Sequence, residues 1–454
     1  MKTTSLLARA AAATATLAAG IAGTLVVAPP AQAALVETDY GYFTFAFGTS
    51  ARADQLGLNS GKTAFSIIGC TRLAGKKKAA SVAAVDTVNN VPALSVGAVS
   101  SNSETFKEGG KNGSRSFNKV AGIKLGVPDG LNLEIRGLET SATAYGQSGK
   151  FNAEATFKLA DITANTGIDA VDDLLNQVNV TFADLVKAIT AQPNDNLVIP
   201  GVGAIRLGRK ILRERPNMAI ANAIALRVVV FGADGVEGGG DDVRVTVGRS
   251  HARVYGTVTS SIMQGAGLAA EINVLNGIAK VGPLARQPLP CAGTYGKVLE
   301  NSVAGLNLMN MGALDLGVAT GRAYGLQNPN GSALAWTEGR IANVALGSGD
   351  QKLVIKGIVG RGQIRMTRTG RLFKSTEGTK VGSVTVGGEE QDISLGDDIV
   401  IEGVASIKFG VVDRSRPRGL RVIAVQIKLL EGFAEETGLA TINLGVARLR
   451  MNRL

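Results

Sequence analysis

"LVIPGVGAIRLG" occupies residues 197–208, and "IVIEGVASIKFG" occupies residues 399–410. Six of the twelve positions are identical, and the rest mostly exchange like for like: Arg206 answers Lys408, and Leu207 answers Phe409. Ordinary residue frequencies give about one identity in twelve by chance. In each stretch the apolar side chains flank a basic one. Ile205 and Leu207 share one side with Arg206 opposite, as Ile407 and Phe409 do with Lys408. A period of two with a single apolar side is the pattern of a half-buried antiparallel strand.

The match extends in both directions and keeps its order. "VAGIKL" (120–125) answers "IANVAL" (341–346), and "LNLEIRG" (131–137) answers "QKLVIKG" (351–357). "LADIT" (159–163) answers "VGSVT" (381–385), and "RERP" (213–216) answers "RSRP" (414–417). Ordered matches along both halves predict a tandem duplication. The offset falls from about 221 at "LADIT" to about 202 at the opening stretch, so the first copy carries extra residues between Thr163 and Asn196. Helical periodicity sits in that segment. Ile168, Val171, Leu174, Leu175 and Val178 fall on one helical face. Thr181 reads as the cap of a second short helix, with Asp184 in its first turn and Phe182, Leu185, Val186 and Ile189 inward. The insertion reads as a helical hairpin or lid on the first domain, and an amphipathic pair of this kind usually just packs on its own domain.

Elsewhere short strands recur near every ten residues, separated by turns rich in the chain's 59 glycines, nearly twice the usual share. "ALRVVVFG" (225–232) and "LRVIAVQIKLL" (420–430) read as more deeply buried strands. The expected fold is mainly β: two tandem antiparallel sandwich- or barrel-like domains. These cover residues 34–256 and 257–454, with the helical insertion at about 164–195.

Residues 1–33 read as a secretory signal peptide: Lys2 and Arg9, an Ala-rich apolar stretch to Val27, then Ala31-Gln32-Ala33 as a small-x-small cleavage site. No lipobox cysteine lies near the cut, since the first cysteine is Cys70. The remaining chain has no apolar run of spanning length; Ala219 to Phe231 is broken by Asn222 and Arg227. The sequence ends in "ARLRMNRL", with neither a sorting motif nor an apolar tail. The expectation is a secreted chain without a transmembrane anchor, extracellular or loosely wall-associated. Removing the two basic residues of the signal peptide takes the net charge from +11 to +9. A basic exported protein is drawn to anionic surfaces such as wall polymers, acidic lipids or extracellular DNA.

Cys70 in "GCTRLAG" and Cys291 in "PCAGTYG" stand at matching places in the two copies, each followed five residues later by a glycine, Gly75 and Gly296. In an exported protein the pair suggests one disulfide tying the halves together. The other reading is two separate buried thiols, one per core, because equivalent positions of adjacent domains need not be close.

Few kinds of chemistry fit. His251 is the only histidine, lies in an alternating strand pattern, and has no nucleophile-elbow motif to serve. Too few Cys and His residues exist for a zinc site, and no P-loop or dinucleotide fingerprint occurs. No cofactor is expected. Two carboxylates would suffice for a glycosidase, but Asp172/Asp173, Asp241/Asp242 and Asp397/Asp398 are sequence neighbours, and neighbours on a strand point to opposite faces. The loop "GADGVEGGGDD" (232–242) offers Asp234, Glu237, Asp241 and Asp242 to calcium, and "EGFAEETG" (431–438) is acidic too, but neither has the spacing of a known calcium loop.

The sharper signal is basic. "RLGRKILRERP" places Arg209, Lys210, Arg213 and Arg215 before Pro216, and "DRSRPRGLR" places Arg414, Arg416, Arg418 and Arg421 around Pro417. A repeated Arg-x-Arg-Pro turn suits phosphates or carboxylates, and two copies would add avidity on a polymer. The plainer reading is a solvated hairpin whose charge prevents edge pairing. Nucleic acid is disfavoured, because no aromatic residues interleave with the arginines.

The signal peptide, the starts "RVYGTV" (253–258) and "RAYGLQ" (322–327), and the "VGP…PCAGTYG" stretch (281–296) resemble the actinobacterial secreted family called choice-of-anchor P. That resemblance implies export, and in many members a C-terminal wall or membrane anchor, which this sequence lacks. It implies no activity and no catalytic residues. The reading is therefore a non-enzymatic envelope or extracellular protein that holds anionic wall polymers through its basic turns. An extracellular carboxylate-dependent hydrolase of polysaccharide and a hydrophobic-ligand carrier are the alternatives.

Overall fold

The computed structural model describes residues 34–53, 58–59, 62–83, 85–86, 94–126, 130–177, 180–231, 242–256, 258–274, 279–304, 306–308, 314–347, 352–429 and 441–454. Residues 1–33, read from the sequence as a signal peptide, and the loop 431–438 lie outside them, as does Val178. The described chain is almost entirely antiparallel β-structure in three sheets of 15, 8 and 9 strands. The largest sheet contains strands of both halves. The eight-stranded sheet is built from residues 77–165 and the nine-stranded sheet from residues 299–391, and each packs on its own half of the large sheet.

The opening stretch is a hairpin in both places. Asn196–Ile199 pairs with Gly203–Leu207, Leu197 opposite Ile205. Asp398–Ile401 pairs with Ala405–Asp413, Ile399 opposite Ile407. Both turns close with the same bond, Val202 N–H to Ile199 O and Val404 N–H to Ile401 O, each 3.0 Å. Gly201 and Gly403 have φ of 69° and 71°, a left-handed conformation that a Cβ disfavours, which accounts for their identity. The alternation holds: Ile205, Ile407 and Phe409 are buried and Leu207 partly so, while Arg206 and Lys408 are half-exposed.

The ladders agree beyond the hairpins. In the first half Phe43 faces Arg253, which faces Ile220; in the second Gln264 faces Arg450, which faces Gly419. The strands 36–53 and 261–274 thus hold the same place in their halves. The 15-stranded sheet runs from one half into the other through Leu58–Asn59, which pairs with Arg52 and Ala53 on one side and with Lys280 and Val281 on the other.

The helices form where the periodicity placed them, at Asp169–Leu175 and Phe182–Thr190. Thr181 and Asp184 make a reciprocal capping box. Val171, Leu175, Leu185 and Ile189 are buried in the first-half core, and Ile168, Leu174 and Phe182 pack partly against it. Val186 is not inward as expected; Ala188 takes that place. Positions three and four beyond Leu185 share its face, whereas the next residue lies about 100° around the helix.

In the second half the two sheets approach so closely that only glycine fits. A Cβ on Gly339 would lie 1.9 Å from Leu268 O, and one on Gly360 would lie 1.7 Å from Gly445 O. The first half fills its seam with small hydroxyls: Thr140 bonds Ser250 at 2.9 Å, and Ser66 bonds Ser103 at 2.9 Å.

Cys70 and Cys291 form a disulfide, with Cα atoms 5.3 Å apart. Tyr255, Val258, Ile262 and Ala292 bury Cys291, and Phe43, Cys70, Met218 and Leu454 pack partly against them. This cluster draws on both halves. The bond closes a separation of 221 residues, which the chain-entropy model values at about 5 kcal/mol as an upper figure.

Two outcomes follow for thermal unfolding. Reduction, or Cys70→Ser with Cys291→Ser, should lower stability by about 3–5 kcal/mol. Gly360→Ala should cost about 3 kcal/mol or more, whereas Gly122→Ala, whose Cβ would meet only Ile135 O at 3.8 Å, should stay within about 0.5 kcal/mol of the parent.

Candidate anion-binding groove

A groove of about 840 Å³ opens at the joint between the halves, beside the disulfide. One wall is the first-half strand Ser66–Ala74 and the turn after it; the other is formed by Ile262, Gln264, Arg418, Arg450, Asn452 and Arg453 of the second half. The first wall has a structural cause. Strand 66–74 pairs with 36–53 in the shared sheet, the chain turns at Gly75 (φ 89°), and Lys77–Val82 then joins the eight-stranded sheet. The change of sheet puts Lys76, Lys77 and Lys78 at a corner, where their side chains line the groove together with Arg72.

Seven basic residues and one acidic residue, Glu37, line this space. Arg72 is paired with Glu37, Lys77 with Glu104 at 3.3 Å, and Arg453 donates to Thr369 O at 3.0 Å. Lys76, Lys78, Arg418 and Arg450 have no carboxylate partner among the described residues. Burial pushes the Lys76 amine below its usual range, and the positive Arg450 adds to the effect. An oxyanion placed between these groups would relieve the repulsion and make charge-assisted hydrogen bonds.

Of the basic residues singled out in the sequence, Arg418 alone lines the groove. Arg209, Lys210, Arg213 and Arg215 are exposed on and before the strand Lys210–Arg215, and Glu214 between them accepts the Ala153 N–H at 2.8 Å. Arg414 and Arg416 are exposed on a turn organised by Asp413, whose carboxylate accepts the Ser415 N–H at 2.8 Å. Arg421 is half-buried and, with Arg448, engages Glu271, so its charge is already met. The two Arg-x-Arg-Pro turns differ in shape. The first is a two-residue turn closed by Arg215 opposite Met218, whereas the ladder of the second stops at Asp413 opposite Arg421. The groove itself had a local signal, the run Lys76-Lys77-Lys78, which the basic-turn reading passed over.

Three of the acidic candidates are otherwise engaged. Asp172 accepts from the Thr166 N–H and hydroxyl, each at 2.8 Å, and Asp397 accepts the Ser394 N–H at 2.7 Å. Asp398 pairs with Lys408. Glu338, 1% exposed, sits among Arg322, Arg340 and Arg361, with Arg361 3.7 Å away. Asp234, Glu237 and Asp241 lie outside the described residues; Asp242 is buried. Among the described residues no three His, Cys, Asp or Glu side chains converge as a metal site, and no helix is long and apolar enough to cross a membrane.

His251 stacks on Phe45 at 4.8 Å and meets the edge of Phe43 at 5.8 Å. Burial, and then Arg253 and Arg249, push its pKa well below the usual histidine range. It is a neutral core ring.

No protein-family model matches the chain, and no curated protein matches it in sequence.

The buried imidazole gives a signed prediction. Its folded pKa lies below the unfolded value of about 6.5, so the folded state binds fewer protons, and stability falls as pH drops through that value toward the folded pKa. Denaturant titrations at pH 7 and pH 5 should therefore show a smaller loss on acidification for His251→Phe than for the parent. An equal loss in both would contradict the assignment.

Proposed function

We propose that the protein is a secreted, non-enzymatic component of the actinobacterial envelope, of the choice-of-anchor P kind and built by tandem duplication, that attaches to anionic wall polymers. The observation that carries this reading is the set of uncompensated cations converging on one groove, Lys76, Lys78, Arg418 and Arg450. The net charge of +9 that remains without residues 1–33 supplies long-range attraction toward a polyanion, and the groove supplies the contacts. The exposed turns carrying Arg213, Arg215, Arg414 and Arg416 extend the positive surface. The disulfide agrees with an oxidising destination. The matched ladders of the two halves, and the shared φ of Gly201 and Gly403, support a common origin.

The test is retention of the mature protein on isolated actinobacterial cell walls across a salt series. Contacts of this kind are screened within about 10 Å at 0.1 M salt, so the protein should be held at low salt and released at high salt. Replacing Arg414, Arg416 and Arg418 by Ala should lower the salt needed for release. No retention at any salt would overturn the proposal.

A further inference from the structure

We infer that the groove between the halves takes one chain of phosphodiester-linked polyol, and that it is the protein's single polyanion site; this rests on the attachment reading above. Three observations lead there.

The first is asymmetry. The two halves share their ladders, but not this groove. Where the second half has Gln264 facing Arg450, the first has Phe43 facing Arg253. Phe43 packs with Met218, Tyr255 and Val258 in the apolar cluster around Cys291. Arg253 there is taken up by the Tyr255 hydroxyl at 2.6 Å beside Phe43, whereas at the other joint Gln264 and Arg450 line an open groove. Among the described residues the two similar halves therefore form one such groove, and attachment through it is monovalent rather than bivalent.

The second is what lines the groove. Its lining includes the aliphatic residues Ile67, Ile68 and Ile262, and no aromatic residue among those described lines it. Bases and sugar rings are held in large part by stacking on aromatic faces. A flexible phosphodiester chain needs none, and its charges suit arginine forks and lysine ammonium groups.

The third is preorganisation. The two walls belong to different halves, and the disulfide fixes strand 66–74 to the second half beside the lining. The two walls then do not have to be brought together on binding, which removes one part of the ordering cost of association.

The experiment is titration of the oxidised mature protein with synthetic poly(glycerol phosphate), polygalacturonate and single-stranded oligo-dT at low salt, by calorimetry. Two variants are compared with the parent: Lys78→Ala/Arg418→Ala/Arg450→Ala in the groove, and Arg213→Ala/Arg215→Ala/Arg414→Ala in the turns. All six side chains are exposed, and equal melting temperatures serve as the folding control. The expected result is one poly(glycerol phosphate) binding segment per protein, weakened on the order of tenfold or more in the groove variant and about twofold or less in the turn variant. The other two polymers should bind more weakly than poly(glycerol phosphate). Loss in the turn variant with binding intact in the groove variant would overturn the groove assignment and leave polyanion attachment standing. Equal or tighter binding of polygalacturonate or oligo-dT would overturn the choice of ligand. No binding of any polymer would remove both the inference and the function it rests on.

Discussion

The structure depends on one joint. A two-residue strand, Leu58–Asn59, hydrogen-bonds to both halves of the largest sheet, and Cys70–Cys291 ties them a second time. The four ladder residues facing Leu58 and Asn59 could not by themselves hold two sandwiches in a fixed relation. The cross-link and the apolar cluster from Phe43 to Leu454 supply the remainder. Because the walls of the groove come from opposite sides of this joint, the shape of the site is set by the joint rather than by either half.

The same joint explains why charge accumulates there. The chain leaves the shared sheet at Gly75 and enters a different sheet at Lys77, so the lysine run spans a corner, with Lys76 in the turn and Lys77 and Lys78 opening the next strand. The strand ending Arg450 to Arg453 arrives from the other side. Cations this close repel one another; the lowered proton affinity of Lys76 comes first from its burial and then from the positive Arg450. Unneutralised charge of one sign in a concave space works against folding stability and in favour of a ligand of the opposite sign.

Much of the fold was legible in the sequence, because local rules dominate. The two twelve-residue stretches read as strands and are strands, and their glycines stand where φ is positive. Thr181 and Asp184 announced a helix start that is present. The two cysteines bond, the reading the sequence favoured over separate buried thiols. The site was less legible, because its cations come from opposite ends of the chain and no pattern marks the two-residue strand that joins the halves. The likeness of "RERP" and "RSRP" concealed different turns, and nothing near Arg421 in sequence pointed to Glu271 as its partner.

The most direct measurement is lysine acetylation footprinting of the oxidised protein, free and saturated with poly(glycerol phosphate), read by mass spectrometry. The account predicts that Lys76 and Lys78 become protected while Lys210, on the exposed turn strand, acetylates as before. Protection of Lys210 with Lys76 and Lys78 unchanged would place the polymer on the turns and contradict the central claim.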